Sequence, residues 1–337
     1  MSGPGEISHE SERRSPNRPA SDATNVQPRA DSEIGAPIFI AGPTAVGKSE
    51  IALALAEKVG GEIISVDSMQ VYRGLDIGTA KPSAAERARV PHHLIDVVEL
   101  HEPFDAAKFV ELANQAVKEI QTRGHVPIFC GGTGLYFKAL LEGLGTAPPS
   151  DAKLRAELEA APLPELLREL EQRDPVTFGK IDRQNPRRVV RAVEVIRLTG
   201  KPFSEQRAEW KADSGKRKAE IIFALTRKPE EVHRRIAVRV DEMFRRGLVE
   251  ETRRLLDHGL AQNKTAMQAI GYRQVVEHLR GERSLPATVE LVKIKTRQYA
   301  KRQMTWLRQQ FNPMWIELDS SVAAAKVVAQ LEAQSVS

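Results

Sequence analysis

Short apolar runs that end in glycine or in a polar turn recur along the chain. Five of them have the length of buried strands, and they occupy residues 37–42, 62–68, 126–134, 219–226 and 314–318. The stretches between them carry the apolar spacing of amphipathic helices. Strands that alternate with helices in this way predict an α/β fold, in which crossover helices connect the strands of a parallel sheet.

Two segments depart from this alternation. Residues 1–36 are rich in Ser, Pro, Asn, Glu and Arg, which predicts a disordered tail. Residues 146–218 show no strand pattern but a polar helical one, including a helix that begins at Pro186 and ends at Gly200, so we expect an inserted all-helical domain. The core is then split into residues 37–145 and 219–320, the second part being mostly helical from 230 onward, and residues 321–337 form a C-terminal segment.

The first apolar run leads directly into a phosphate-binding motif. Gly42, Gly47, Lys48 and Ser49 satisfy the spacing G-x-x-x-x-G-K-[ST], with a strand pattern before the motif and a helical pattern after it. Such a loop directs backbone N–H groups at an anion, the lysine adds a positive charge, and the Ser49 hydroxyl is offered to Mg²⁺. The motif predicts a P-loop NTPase-like core, but any pyrophosphate ester suits this chemistry.

The chemistry at the next strand ends is less typical of a nucleotide enzyme. The second run ends in Asp67, and the third ends in a glycine turn that carries Thr133. A kinase or ATPase would use a carboxylate like Asp67 to hold Mg²⁺. From spacing alone, Asp67 could be a metal ligand, a helix cap or a general base. The stretch QNKTA, residues 262–266, lacks the aspartate of a guanine-reading motif. These residues predict an anion-binding site with one carboxylate at a neighbouring strand end, and we find no motif that would recognise the base of a nucleotide.

Several longer motifs resemble the tRNA dimethylallyltransferase family of bacterial type. They are GPTAVGKS (42–49), ISVDSMQVYRGLDIGTAKP (64–82), VPHHLID (90–96), CGGTGLYFKAL (130–140), HRRIAVRVDEM (233–243), AIGYRQ (269–274) and RQYAKRQMTWLR (297–308). The resemblance covers about residues 37–318. It implies transfer of a dimethylallyl group from dimethylallyl diphosphate to the exocyclic N6 amine of the adenosine 3′-adjacent to the anticodon of tRNA, with release of diphosphate.

The resemblance also implies roles for individual residues. Asp67 is the expected base toward the amine. Thr133 is expected to contact the diphosphate or the nucleotide at the reacting centre, with a turn residue that satisfies local backbone groups as the alternative. Arg235 and Arg239, four residues apart on one helix face, are expected to clamp the diphosphate, with an ordinary solvated face as the alternative. The diphosphate loop comprises Gly42, Pro43, Thr44, Ala45, Val46, Gly47, Lys48 and Ser49. Mg²⁺ at Ser49 is the only cofactor we expect.

A further set of residues is implied to lie against the tRNA anticodon stem-loop. The set is Asp67, Ser68, Met69, Gln70, Thr133, Arg155, Arg187, Arg188, Val189, Val190, Arg191, Gly271, Tyr272, Arg273, Lys301, Arg302 and Arg308. Charge agrees with a polyanionic partner: residues 180–220 hold twelve Lys or Arg against six Asp or Glu, and residues 293–308 hold six basic residues and no acidic one. For either patch alone, a solvated helix face is the alternative.

Composition narrows the class of protein further. The 337 residues are 41% hydrophobic and 28% charged, with no long apolar run and no apolar N-terminal segment. This composition predicts a cytoplasmic protein without a membrane segment. We expect the protein to be a monomer. The single cysteine, Cys130, excludes an internal disulfide and is expected to be a buried small residue. His92 and His93 have no cluster of metal ligands around them, so we expect them to be structural.

Three other functions compete with this interpretation. An isopentenyltransferase acting on free AMP or ATP would use the same loop, but its small acceptor would not require the helical insertion or the basic C-terminal helix. A P-loop small-molecule kinase would bind ATP at the loop and use Asp67 for Mg²⁺. An RNA-binding protein without catalysis would leave the loop and Asp67 without a purpose.

Overall fold

A computed structural model describes residue 1, residues 36–145, 147–206 and 222–319, and positions 325, 328, 329 and 331. The predicted tail and the predicted C-terminal segment therefore lie almost entirely outside the described residues. The same holds for residues 207–221, which span the end of the predicted helical insertion and the first three residues of the predicted strand at 219–226.

A single parallel sheet forms the centre of the described chain. Its strands are β1 (Ile38–Ala41), β2 (Gly61–Val66), β3 (His92–His93), β4 (Val126–Gly131), β5 (Ile222–Thr226) and β6 (Met314–Glu317). They lie in the order β3-β2-β4-β1-β5-β6, and every neighbouring pair is parallel. The predicted parallel α/β sheet is confirmed. The prediction missed β3, which at two residues is too short to show an apolar run.

Helices connect the strands and cover both faces of the sheet. Those of the core are α1 (Lys48–Val59), α2 (Ala84–Arg89), α3 (Ala106–Thr122) and α4 (Gly134–Glu142), then, after the helical segment, α9 (Pro229–Arg245), α10 (Leu248–Asp257), α11 (Tyr272–Leu279) and α12 (Leu285–Gln310). Throughout the described ranges, no helix has both the length and the apolar character that a membrane crossing requires.

The helical segment lies between β4 and β5. Its described part includes the helices α5 (Ala152–Ala160), α6 (Leu163–Arg173), α7 (Pro175–Lys180) and α8 (Pro186–Thr199). The predicted bounds of α8 are confirmed, since Asn185 caps its start and Gly200 ends it with φ 72°. Leu166, Leu170 and Val193 belong to a hydrophobic cluster formed within the segment itself. The segment thus has a small core of its own.

Alternating residues of the strands feed two larger apolar clusters, one on each face of the sheet. Phe39 and Phe129 stack 4.8 Å apart on one face, while Ile40 and Ile128 pack with α1 on the other. Burial on both faces explains why these strands appear in the sequence as continuous apolar runs. Because β2, β4 and β1 are adjacent and parallel, the loops that follow them meet at one edge of the sheet, where α/β proteins bind ligands.

A buried charge cluster lies toward the opposite end of β2. The Glu62 carboxylate, 1% exposed, accepts hydrogen bonds from Arg123 (2.9 and 2.7 Å), His93 Nε2 (2.6 Å) and His125 Nδ1 (2.6 Å). Burial by itself would raise the pKa of Glu62, but these hydrogen bonds lower it to about 2. His92 Nδ1 lies 2.8 Å from the carbonyl of Val90. The structural role predicted for both histidines is confirmed.

Candidate active site

The phosphate loop joins β1 to α1, and its glycines are required by its shape. Gly42 has φ 154°, and a Cβ at this position would lie 2.8 Å from the carbonyl oxygen of Leu225. Gly47, with φ 110°, stands at the start of α1 in a left-handed conformation and provides no side-chain cap. The first N–H groups of α1 therefore have no side-chain acceptor from the capping position and form a site for an anion.

Side chains from distant elements fix the peptide groups of this loop. Arg227, just after β5, donates from Nε to the carbonyl of Val46 over 2.7 Å, and Arg235 of α9 donates from Nε to the carbonyl of Ala45 over 2.8 Å. Gln303 of α12 accepts from the Thr44 N–H over 2.9 Å. Because the C=O and N–H of a trans peptide point in opposite directions, the amide N–H of Gly47 points away from Arg227.

The positive charge of the loop is held in a desolvated position. Lys48 Nζ donates to the carbonyl of Pro43 over 2.8 Å. Burial lowers the pKa of Lys48 to about 8. Cys130 is buried beneath it, and burial raises the pKa of its thiol to about 11, so the thiol is neutral at physiological pH. The prediction that Cys130 is a buried small residue is confirmed.

A cavity of about 300 Å³ opens beside the loop. Its polar side is formed by Thr44, Asp67, Ser68, Thr79, Arg239, Gln268, Thr296, Tyr299 and Arg302, and its apolar side by Met69, Gly78, Ile236, Val240, Met243, Ala269, Ile270 and Val292. Charged, hydrogen-bonding and apolar surfaces thus face one small space, which is the composition of a ligand site.

Asp67 contributes one carboxylate oxygen to the local backbone. Its Oδ1 accepts from the N–H of Met69 over 2.8 Å and of Gln70 over 3.3 Å, so the capping role left open by the sequence is present. Among the described residues no hydrogen-bond donor reaches Oδ2. Arg239 shares the cavity wall and approaches Thr44 Oγ1 at 3.5 Å. Burial lowers the pKa of Arg239, and the charge of Asp67 acts in the opposite direction.

Thr133 lies directly beside the Asp67 loop. It occupies the capping position just before α4, and its Oγ1 accepts from the N–H of Ser68 over 3.1 Å. Gln70 is directed the other way: its side chain accepts from Ser65 Oγ over 2.8 Å and donates to the carbonyl of Thr79 over 3.1 Å. Gln70 therefore braces the loop after β2, whereas Ser68 and Met69 line the cavity.

The two arginines expected to clamp the diphosphate both face the loop. Arg239 lines the cavity. Arg235 uses Nε on the loop carbonyl, and its Nη2 lies 3.8 Å from the position that a Cβ on Gly47 would occupy. The alternative of a solvated face is wrong for both, because each contacts the loop.

Several residues that the sequence predicts to contact RNA are buried instead. The prediction that their side chains contact RNA is therefore wrong. Val189 and Val190 are 0% and 5% exposed, because the period of α8 places them in the core of the helical segment. Tyr272 is fully buried, where its hydroxyl donates to Glu251 Oε1 over 2.6 Å. Gly271 is buried as well, with φ 102° at the capping position just before α11.

Two of the expected arginines neutralise a buried carboxylate. Arg155 and Arg191 donate to Glu194 Oε2 over 2.5 and 2.6 Å, and Glu194 is 0% exposed. Arg191 also donates to the carbonyl of Pro148 over 2.6 Å. The sequence shows the basic run, but it does not show that α8 buries Glu194 next to these arginines. Both arginines hold the helical segment together.

The remaining basic residues of the set are exposed. They are Arg187, Arg188, Arg273, Lys301, Arg302 and Arg308. Arg187 donates to the carbonyl of Lys264. Arg302 lies 5.8 Å above the ring of Tyr299 and reaches the cavity wall, so the basic face of α12 begins at the cavity.

Sequence reasoning missed Arg227, Tyr299 and Gln303. Arg227 immediately follows β5, at the sheet edge where the phosphate loop lies, and this position was the available signal. Tyr299 and Gln303 lie within the motif at residues 297–308, from which the sequence predicts functional roles for Lys301, Arg302 and Arg308 alone. Burial raises the pKa of the Tyr299 phenol, and the charge of Asp67 raises it further.

Comparisons with known proteins point to one family. The family model for IPP transferase matches residues 70–310. A tRNA dimethylallyltransferase of Geobacter metallireducens is 48% identical over 285 residues, covering 83% of this chain and 92% of the relative. The tRNA dimethylallyltransferase 1 of Citrifermentans bemidjiense is 46% identical over 286 residues, covering 85% and 93%.

Solved structures agree with these matches. A crystal structure of the full-length tRNA isopentenylpyrophosphate transferase of Bacillus halodurans superposes with a TM-score of 0.65 at 36% identity, covering 90% of this chain and 97% of the other. A eukaryotic dimethylallyltransferase captured acting on tRNA gives a TM-score of 0.73 at 30% identity, covering 88% and 78%.

Proposed function

This chain belongs to the IPP transferase family of tRNA dimethylallyltransferases, and we propose that its cavity is the chamber in which an isoprenoid diphosphate meets an adenosine of tRNA. The enzyme is a transferase that moves a dimethylallyl group onto tRNA. The observation that carries the proposal is that Thr44 of the phosphate loop, Asp67 and an apolar wall all face one and the same cavity. In this proposal, the group is donated by dimethylallyl diphosphate and accepted by the N6 amine of the adenosine 3′-adjacent to the anticodon.

The loop side of the cavity suits the leaving group. As the bond between the allylic carbon and the diphosphate oxygen breaks, its electron pair moves onto that oxygen. The N–H groups at the start of α1, Lys48 and Arg239 stabilise the negative charge that develops there. Ile236, Val240 and Val292 give the dimethylallyl group a dry wall. These features support an isoprenoid diphosphate over ATP as the occupant of the loop.

The opposite side of the cavity suits the acceptor. The exocyclic amine of adenine is a weak nucleophile because its lone pair is delocalised into the ring. A carboxylate oxygen of Asp67 accepts the amine proton while the new C–N bond forms. Thr133 positions the Asp67 loop through Ser68.

Magnesium has a restricted place in this proposal. Within the described parts of the chain, no group of three or more His, Cys, Asp or Glu side chains could hold a metal ion. Mg²⁺ commonly uses one or two protein ligands together with substrate phosphates and water. The exposed Ser49, in the first turn of α1, fits that limited role. When bound there, Mg²⁺ would neutralise part of the diphosphate charge.

A cavity of about 300 Å³ admits one nucleoside but not a folded anticodon loop. The adenosine must therefore be splayed out of its stack, which costs a few kcal/mol. Exposed basic residues such as Arg188, Lys301 and Arg302 would offset that cost through phosphate contacts. We place this activity in the cytoplasm, where tRNA is modified.

An isopentenyltransferase for free AMP is the second candidate, and the basic face of α12 that begins at the cavity favours tRNA over it. The test is incubation of the protein with radiolabelled dimethylallyl diphosphate and either unmodified tRNA or AMP, alongside γ-labelled ATP. We expect label in tRNA alone. Label in AMP at a comparable rate, or phosphoryl transfer from ATP, would contradict the proposal.

A further inference from the structure

Gln303 is a buried glutamine that joins the two halves of the cavity. It lies on α12, is 8% exposed, and makes one hydrogen bond with each end of its amide. Its Oε1 accepts from the N–H of Thr44 over 2.9 Å, and its Nε2 donates to the carbonyl of Gly132 over 2.9 Å. Thr44 belongs to the phosphate loop after β1, and Gly132 belongs to the turn after β4.

The space for this amide is made by a glycine. A Cβ on Gly132 would lie 2.2 Å from Gln303 Nε2 and 3.1 Å from the carbonyl oxygen of Gly42. Any side chain at residue 132 would therefore displace the glutamine. The turn after β4 and the first residues of the phosphate loop approach each other at one point, and the amide of Gln303 fills it.

The turn is linked onward to the base. The N–H groups of Gly132 and Thr133 both donate to the carbonyl of Val66, over 3.2 and 3.1 Å, and Val66 directly precedes Asp67. Thr133 Oγ1 accepts from Ser68, on the other side of Asp67. Hydrogen bonds thus connect Gly132 to the Asp67 loop, which faces the acceptor. Thr44 belongs to the phosphate loop, which faces the donor.

We propose that Gln303 is a positioning residue that acts as a spacer of fixed length between the diphosphate loop and the turn that holds Thr133 and Asp67. This inference rests on the proposed function, because it assumes that donor and acceptor occupy those two sides. The reacting carbon and amine must approach to about 3–3.5 Å, and a displacement near 1 Å can cost about 100-fold in rate. The Gln303 amide also interacts with the Tyr299 side chain. Gln303 itself does not line the cavity, and its bonds to Thr44 and Gly132 end on backbone groups, so we expect it to affect the separation of the two substrates rather than the affinity for either.

Two variants separate the length of the spacer from its polarity. Gln303→Met has nearly the same size and removes both hydrogen bonds. Gln303→Asn retains the amide but is one methylene shorter, so it can reach only one of the two partners. We expect each variant to lower kcat about 10- to 100-fold, while KM for dimethylallyl diphosphate and for tRNA stays within about threefold of wild type.

Gln206→Met is the matched control. Gln206 is a buried glutamine, 5% exposed, that donates to Thr199 Oγ1 over 2.8 Å in the helical segment, away from the cavity. Gln206→Met removes a buried amide that does not touch the cavity, so it should leave kcat unchanged. Calorimetric binding of dimethylallyl diphosphate to each variant verifies that the loop is intact.

The inference is overturned if wild type transfers the group to tRNA while Gln303→Met or Gln303→Asn retains its kcat, or if kcat falls only in proportion to the loss of diphosphate affinity. A wild-type enzyme that fails to label tRNA at all would instead contradict the proposed function. The selective fall in kcat at an unchanged diphosphate affinity is the result that supports the spacer.

Discussion

The backbone N–H of Ser68 donates a hydrogen bond of 3.1 Å to Thr133 Oγ1. The two residues are 65 positions apart in the chain, yet this bond fixes the loop that carries Asp67 against the start of α4. The orientation of the carboxylate in the cavity therefore depends on a side chain from the turn that follows the neighbouring strand β4.

Thr133→Ala should misplace Asp67 without unfolding the protein. The substitution leaves the N–H of Ser68 without its acceptor, which costs about 1–3 kcal/mol where the group is buried. We expect the single-turnover rate to fall about 10- to 100-fold, because the base shifts relative to the amine. Thr133→Ser retains the oxygen and should stay near the wild-type rate. Equal rates for Ala and Ser would show that the hydroxyl does not position the base.

Diphosphate binding should weaken as pH rises through about 8. Burial lowers the pKa of Lys48 from 10.5 to about 8, and the charged form is the one that favours the anion. Below pH 8 the lysine is already protonated, whereas above it binding must take up a proton, so Kd should rise by up to about tenfold per pH unit. Calorimetry with dimethylallyl diphosphate from pH 7 to about 9.5, in buffers of different ionisation enthalpy, measures both affinity and proton uptake.

The control is Lys48→Met, which should bind more weakly and lose the pH dependence in this range. A wild-type profile that stays flat through pH 8 would contradict the role of Lys48 in holding the diphosphate.

Arg188 and Lys301 should contribute to tRNA binding through charge alone. Both are exposed, on α8 and α12 respectively. Replacing both by Ala should weaken tRNA binding and flatten the plot of log affinity against log salt by about 1.5, since each phosphate contact adds about 0.7–0.9 to the slope. The Kd for dimethylallyl diphosphate should not change. Filter binding across a salt series is the measurement, with Lys118→Ala on α3 as a surface control.

Arg191→Ala should behave differently from these two. Its guanidinium neutralises the buried Glu194, so its loss leaves a buried charge unpaired. We expect Arg191→Ala to lower Tm, which the Arg188 and Lys301 substitutions should not do. A variant of Arg188 and Lys301 with the wild-type slope would mean that neither residue meets RNA.

The sequence predicted the parts of the fold that depend on short-range pattern. The strands around Phe39, Ile64 and Phe129 are buried on both faces, so they appear as apolar runs. The phosphate loop was visible because its glycines and Lys48 occupy fixed positions in one short stretch. His92 and His93 escaped the strand prediction because edge strand β3 depends on pairing and on Glu62, not on a pattern of its own.

Contacts between distant residues could not be predicted in the same way. Gln303 meets Thr44 across 259 positions and Arg235 meets Ala45 across 190, and nothing in local sequence indicates either partner. The basic run at Arg187 to Arg191 predicts a surface that meets RNA, but the helical periodicity of α8 turns Val189 and Val190 inward, and Arg191 is bound to Glu194. Charge counts locate a basic segment but do not show which of its members face solvent.

Asp67→Asn tests the central claim, that the cavity joins an isoprenoid diphosphate to an amine activated by this carboxylate. Asparagine retains an Oδ1 that can accept from Met69 and Gln70, so the loop should keep its shape. The measurement is single-turnover transfer from prebound, radiolabelled dimethylallyl diphosphate to tRNA. We predict a rate about 10²- to 10⁴-fold below wild type, with the Kd for dimethylallyl diphosphate unchanged. A rate close to wild type at that unchanged affinity would contradict the assignment of Asp67 as the base.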